Sequence, residues 1–358
     1  MPRYGFLDDY SEGVHPTVIE ALSRTNLSQQ KAYSNDEFCE DARRLIRDKI
    51  NAPEATIHLV PSGTAANLIS IASYLRPYEA IIAAPSGHIA TKESGAIEST
   101  GHKIIITEPT ADGKLTPEKV GTAFNQNSLF AHQAKPRMVY ISNATEMGTV
   151  YTRSELAALS TACRSLDLLL LMDGARLGAA LTCPKNDMSL DDIYNLTDVF
   201  WIGGTKNGAL LGEAVVIKDQ SLGQSFPYHM KQRGALLAKG RILGIQFVTL
   251  FNDDLFFRLA RHANDTAAKI STSLVSLGFK LWAQTETNQV FPVLPPALVR
   301  ELQKNFDFHI WEHLQDGSLV IRLVTGWATE MEAVERFCAL AYAWTKRSRE
   351  GYTTMEKL

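Results

Sequence analysis

The chain has 358 residues, 45% of them hydrophobic and 21% charged, with a formal net charge of −3. That length exceeds the usual single domain, so one large domain carrying a smaller one is expected, while the near-neutral balance excludes the electrostatic footprint of a nucleic-acid or anionic-membrane binder. The longest apolar runs, such as Leu168 to Met172, are too short to cross a bilayer, and the four cysteines (Cys39, Cys163, Cys183, Cys338) show neither CxxC nor Cys/His ligand spacing, which excludes a zinc site and a disulfide framework.

In chain order, the segment MPRYGFLDDYSEGVHP has no apolar h-region, so a cytoplasmic protein with reduced cysteines is expected. Residues 1–50 read as a turn and a helix, an arm too short to be a domain. From Ile57 to Phe200, short β-branched or aliphatic runs alternate with longer amphipathic stretches, the pattern of a mostly parallel sheet covered on both faces. The strand candidates are residues 57–60, 80–84, 103–107, 138–142, 168–173, 199–204 and 212–217, with helices over 64–75 and 154–166 among those between them. Beyond Asp219 the texture becomes one long helical region, about 234–277, bridging to a tail that reads strand, strand, helix, strand, strand, helix. No fixed-period repeat interrupts this order. The expected division is 1–50 (arm), 51–245 (large domain) and 246–358 (small C-terminal α/β domain).

Three segments carry candidate chemistry. Pro61-Ser62-Gly63-Thr64-Ala65-Ala66-Asn67 follows a predicted strand and opens a helix, where unpaired N–H groups suit a phosphate and Gly63 lets it approach. Taken alone, a Ser-Gly-Thr helix start is more often plain capping, and it is neither a Walker loop nor a GxGxxG fingerprint. In Leu170-Leu171-Met172-Asp173-Gly174-Ala175-Arg176 an acid ends an apolar run, at the strand end where open parallel sheets bind ligands. Such an acid either pairs with a pyridinium nitrogen, keeping the ring a good electron sink, or caps the next helix. In Trp201-Ile202-Gly203-Gly204-Thr205-Lys206-Asn207-Gly208 a lysine stands among glycines after another apolar run. Held neutral it can condense with an aldehyde, although a lone loop lysine in most proteins faces solvent. The order of the three, a hydroxyl-glycine helix start, a strand-end acid and a later strand-end lysine, supplies the anchors of a pyridoxal 5'-phosphate (PLP) site.

Together SGTAANL, SGHIATKESGA, DGARLGAAL, GGTKNGALLG and VIRLVTGWATEMEAVERF resemble the threonine aldolase and β-eliminating lyase group of PLP-dependent enzymes, from about Tyr10 to Phe337. The resemblance implies the α/β, PLP-dependent transferase-like fold: a large domain on a mostly parallel seven-stranded sheet plus a smaller C-terminal α/β domain. It implies a homodimer or homotetramer with shared active sites and a small amino acid as substrate; no residue is a candidate metal ligand, and whether a monovalent or divalent cation binds is left open. By position, Lys206 resembles the Schiff-base lysine and Asp173 the partner of the pyridine nitrogen. Ser62, Gly63 and Thr64 resemble the phosphate cup, and His88 the histidine that stacks on the ring and is a plausible base for the substrate hydroxyl. Arg176, beside the cofactor, and Arg322 resemble the arginines that grip the substrate carboxylate; read without the family, Arg322 is as readily a charge on an exposed strand face. Arg241 resembles an arginine near the cofactor phosphate, contributed in some arrangements by a neighbouring subunit, and Ser11 and Tyr33 fall where substrate contacts lie.

The chain departs from the family pattern at Leu-Met-Asp-Gly-Ala-Arg, where His-Leu-Asp-Gly-Ala-Arg is common, and at Asn-Gly-Ala-Leu after the lysine. NATEMGTVY (143–151) stands in for an Asn-Thr-His region, with Asn143 or Thr145 as a polar contact to the cofactor. The resemblance implies aldol cleavage of threonine or allo-threonine to glycine and an aldehyde. The alternatives are β-elimination on another amino acid, a transferase on the same fold, or a non-catalytic PLP-binding protein.

Overall fold

A computed structural model describes residues 3–355, which divide into two compact units: residues 13–258, and residues 3–12 together with 259–355. The larger unit is built on seven strands: β1 (Thr56–Val60), β2 (Glu79–Ala83), β3 (Lys103–Ile106), β4 (Lys135–Ser142), β5 (Leu169–Asp173), β6 (Val199–Gly203) and β7 (Glu213–Ile217). Their order across the sheet is β1-β7-β6-β5-β4-β2-β3. Only β7 runs antiparallel to its neighbours β1 and β6. Every residue of β2, β6 and β7 is buried, as runs that are apolar but for the leading Glu79 and Glu213 require of strands covered on both faces. All seven predicted strands are present.

Helices cover the sheet, among them α1 (Pro16–Thr25), α2 (Glu37–Lys49), α3 (Gly63–Tyr74), α4 (Pro117–Asn127) and α5 (Arg153–Ser165). Their starts are written in the sequence: Asp36, Ser62, Thr116 and Thr152 each accept a first-turn amide, and Glu155 completes a capping box with Thr152. Beneath α3 the core packs Val60, Ile69, Ile81, Tyr140, Leu171, Trp201 and Val215.

The expected long bridging helix is two: α6 (Arg241–Phe251) and α7 (Leu255–Ser276). Between them Asp253 and Asp254 take φ of 52° and 53°, a left-handed turn that short polar side chains tolerate better than most. The division between units falls at 258/259, inside α7; the sequence-based division at 245/246 falls inside α6.

The smaller unit carries an antiparallel sheet of β8 (Lys280–Ala283), β9 (Gln289–Leu294), β10 (His309–His313) and β11 (Leu319–Val324), in the order β10-β11-β9-β8. Helices α8 (Pro296–Leu302) and α9 (Met331–Met355) accompany it. Residues 3–12 belong here because Tyr4–Gly5 pairs in parallel with Phe306–Asp307 and the fully buried Phe6 ring lies 5.6 and 5.7 Å from those of Phe306 and Phe337. No described helix is long and apolar enough to cross a membrane.

Candidate active site

Parallel pairing places the carboxyl ends of β2, β4, β5 and β6 along one edge of the large sheet, where ligands of such sheets bind; β1 ends there too, because β7 runs antiparallel to both β1 and β6. Because β7 is antiparallel, its first residue comes to the same edge: Glu213 is paired with both Val60 and Gly203. Ser62, His88, Asp173 and Lys206 all follow or close these strand ends, which is how positions more than a hundred residues apart are gathered.

Asp173, 3% exposed, ends β5. Its Oδ2 accepts the Tyr140 hydroxyl at 2.5 Å and the Asn67 amide at 3.0 Å, and its Oδ1 accepts the Ala175 N–H at 2.9 Å. Asn67 is oriented in turn by the Trp201 indole, which donates to its Oδ1 at 3.0 Å. Burial and the neighbouring Asp173 charge push the Tyr140 hydroxyl well above its ordinary pKa, so it remains a donor. The residue after the acid has no choice: a Cβ on Gly174 would lie 1.8 Å from the Trp201 carbonyl oxygen. That contact and the Gly203 N–H to Gly174 O bond of 3.0 Å hold the turn carrying the acid against the strand carrying the lysine.

Lys206 lies three residues beyond β6 and is half-buried. The loop around it is pinned on every side: Asn207 donates to Phe256 O at 2.7 Å, His15 N–H to Gly208 O at 2.9 Å and Leu210 N–H to the buried Gln246 at 2.7 Å. Glu213, 3% exposed, fastens its base by accepting Gly204 N–H at 2.8 Å and the Thr205 hydroxyl at 2.7 Å. Burial raises the Glu213 carboxyl to about 7; Lys206 acts to lower it and Asp173 to raise it. The acid and the lysine therefore both act electrostatically on one buried carboxyl.

His88 follows β2 at the start of a short helix, His88–Thr91. Its Nδ1 lies 2.8 Å from Glu93 Oε1, which also accepts the Asn67 amide at 2.8 Å. Glu93 is fully buried and its Oε2 has no partner. His88 N–H donates to Glu146 Oε1 at 2.9 Å, the atom that also accepts the Ser142 hydroxyl at 2.7 Å. His88, Glu93, Asn67 and Asp173 thus form one hydrogen-bonded chain, with 35% of the His88 side chain left open.

The other predicted residues fall as follows. Ser62 caps α3 by accepting Ala65 N–H at 3.2 Å, and its carbonyl takes Ala66 N–H; this is the capping reading, and it leaves the first-turn amides of Gly63 and Thr64 for an anion. A Cβ on Gly63 would meet the Trp201 ring at 2.9 Å. Arg176, half-buried, stands at the N-terminal boundary of the helix Leu177–Thr182. Arg241 opens α6 and donates to the carbonyls of Thr25 and Ser28, with its guanidinium 5.2 Å from the centre of the Phe38 ring. Tyr33, at φ 58°, lies under the Lys231 ammonium, 4.7 Å from its ring centre. Neither Arg241 nor Tyr33 joins the Asp173 chain. Ser11 and Arg322 belong to the smaller unit: Ser11 is exposed, while Arg322, on β11, lies 3.9 Å from Asp8 and 5.6 Å from the Trp311 ring centre.

These residues fit PLP. Asp173 has three donors for four lone-pair positions, room for one ring N–H; the lysine lies close enough to Glu213 to act on its charge; and the first-turn amides suit a phosphate. Sequence reasoning missed Asn67, Glu93, Tyr140, Glu146 and Glu213. A signal existed for three of them, since Asn67, Tyr140 and Glu213 interrupt stretches that are otherwise apolar and buried, where a polar group must be paired.

The family model described as beta-eliminating lyase matches residues 8–295. The low specificity L-threonine aldolase of Pseudomonas aeruginosa is 32% identical over 92% of this chain and 94% of its own length. That of another Pseudomonas strain is 33% identical over 93% and 96%. Among solved structures, Leishmania major threonine aldolase superposes with a TM-score of 0.93 at 44% identity, covering 96% of this chain and 99% of that one. A Thermus thermophilus aspartate aminotransferase mutant, 13% identical with a TM-score of 0.71 over 96% of this chain and 91% of its own, shares the fold. Threonine aldolases and aminotransferase-fold relatives depend on PLP. With a family match over most of its length and relatives above 30% identity across nearly all of it, the chain belongs to the beta-eliminating lyase family.

Proposed function

We propose that the protein is a PLP-dependent aldolase that cleaves β-hydroxy-α-amino acids of the threonine type to glycine and an aldehyde. The observation that carries the reading is the pairing of a pinned strand-end lysine with a buried, triply hydrogen-bonded acid on the adjacent strand, in a chain 44% identical to a threonine aldolase over nearly its full length. Bound there, the cofactor supplies an electron sink for the pair released when a bond to Cα breaks. Lys206 would hold it, Asp173 would keep a proton on its ring nitrogen, Ser62, Gly63 and Thr64 would receive its phosphate, and His88 would lie against its ring. Arg176 and Arg322 are assigned to the substrate carboxylate, Ser11 and Tyr33 to the substrate, and Arg241 to the phosphate. A cytoplasmic homodimer or homotetramer goes with this reading.

The test is to incubate the PLP-loaded protein with threonine, allo-threonine and phenylserine, measuring glycine and aldehyde against ammonia and keto acid. Glycine and aldehyde in equal amounts are expected; ammonia and keto acid would replace the reading with β-elimination. Borohydride treatment should fix the cofactor on the peptide containing Lys206, and Lys206→Ala should abolish that fixation. Label recovered on another lysine would overturn the assignment.

A further inference from the structure

We propose that Glu146 is the catalytic base that takes the proton of the substrate's β-hydroxyl, an inference that rests on the aldol reading above. Four carboxylates crowd this edge of the sheet: Glu93, Asp173, Glu146 and Glu213. Three are closed off, since the Glu93 side chain has no exposed surface and Asp173 and Glu213 are each 3% exposed. Glu146 alone keeps appreciable contact with solvent, although protein surrounds it closely enough to penalise its charge. It is therefore the carboxylate that a small molecule entering the site can touch.

Its placement suits the task. Glu146 lies four residues past the end of β4, whose last residue, Ser142, is paired with Asp173. The His88 N–H and the Ser142 hydroxyl both bind Oε1, at 2.9 and 2.7 Å, which fixes the carboxylate. Among the described residues no other residue's hydrogen bond reaches Oε2; Glu146's own N–H is the one further donor to its carboxylate, which leaves Oε2 lone-pair capacity to accept a proton. His88 is the competing base, but its Nδ1 is engaged by Glu93, and it holds Glu146 through its backbone, leaving the ring to a flat ligand.

Electrostatics point the same way. Burial raises the Glu146 carboxyl above its ordinary value and Asp173 raises it further, while Ser142, its own backbone N–H and His88 lower it. A carboxylate raised toward the working pH is a stronger base than an exposed one. In the step itself, the hydroxyl proton passes to Oε2, the oxygen forms the aldehyde carbonyl with Cβ, and the Cα–Cβ pair remains with Cα. A proton delivered to Cα completes glycine, so substrate and products differ only by one divided bond and one relocated proton.

The experiment compares two reactions of the same holoenzyme. Cleavage needs a base for the hydroxyl; exchange of the glycine α-proton with deuterated water does not. For Glu146→Gln, kcat for threonine cleavage is expected to fall about 100-fold or more, with cofactor content unchanged and glycine exchange within about threefold of the parent. Cleavage at the parental rate, or equal loss of cleavage and exchange, overturns the proposal. If the variant does not fold, the unmodified enzyme still decides: its cleavage kcat should fall toward acid pH along a limb that glycine exchange lacks, and a limb common to both counts against Glu146. Parent enzyme yielding no aldehyde sinks the aldol reading, whereas parental rates in Glu146→Gln sink only this assignment.

Discussion

Replacing Glu213 with glutamine tests whether burial or ion pairing governs the loop that carries Lys206. Burial raises the carboxyl from the ordinary 4.5 to about 7, a gap worth about 3 kcal/mol at about 1.4 kcal/mol per unit. Between those values the folded protein keeps a proton that the unfolded chain has released. The favourable contribution is therefore complete below pH 4.5, declines as pH rises, and is lost above about 7. Glutamine is neutral throughout. It can still accept Gly204 N–H, but its Nε2 must donate to Thr205 Oγ1, reversing one bond at a cost of about 1 kcal/mol. Glu213→Gln should thus match or fall slightly below the parent at pH 5 and exceed it by about 2 kcal/mol at pH 8. The assay is the unfolding midpoint of both proteins at the two pH values with PLP at one saturating concentration, since ligand binding itself shifts the midpoint. A variant that loses as much stability at pH 8 as at pH 5 would refute the reasoning and show that attraction to the Lys206 ammonium outweighs burial.

Two further outcomes follow from the geometry. Gly174→Ala should cost more than about 3 kcal/mol or prevent folding, because its Cβ would overlap the Trp201 carbonyl oxygen at 1.8 Å and the clash is with backbone; a normal unfolding midpoint would contradict the contact. Arg322→Ala should raise KM for amino acids about 10- to 100-fold, the worth of one charge-assisted hydrogen bond, with cofactor content unchanged; unaltered kinetics would remove Arg322 from the substrate site.

Much of this was legible because buried parallel strands announce themselves as apolar runs, and all seven did. The Ser62 cap, the Asp173 strand end and the Lys206 loop were readable for the same reason: each interrupts or closes such a run. What stayed hidden depended on tertiary pairing. Nothing local marks Glu93 as the partner of both His88 and Asn67, or places Glu213 at the edge where parallel strands end, because that follows from β7 being antiparallel. The break between α6 and α7 was overlooked because apolar periodicity continues across Asn252–Asp254, and only the backbone there leaves the helix. The affiliation of residues 3–12 with the smaller unit rests on a two-residue strand, too short to carry a pattern.

The crowding of carboxylates has a consequence for how the site works. Asp173 is among the causes that hold both Glu146 and Glu213 above their ordinary values. The acid assigned to the ring nitrogen therefore also acts to raise both of its neighbours. A positive charge seated against Asp173 offsets that influence, and each unit of lowered pKa is about 1.4 kcal/mol in favour of the ionised form. Glu146, the member still in contact with solvent, is then biased toward the form that accepts a proton when the cationic ring is in place. Glu213, pinned behind the lysine by Gly204 and Thr205, is biased in the same direction, where its charge favours the ammonium over the free amine. Because Asp173 ends one strand, Glu213 begins another of the same sheet and Glu146 follows a third, a change of charge at Asp173 is felt at both glutamates without any movement of the backbone.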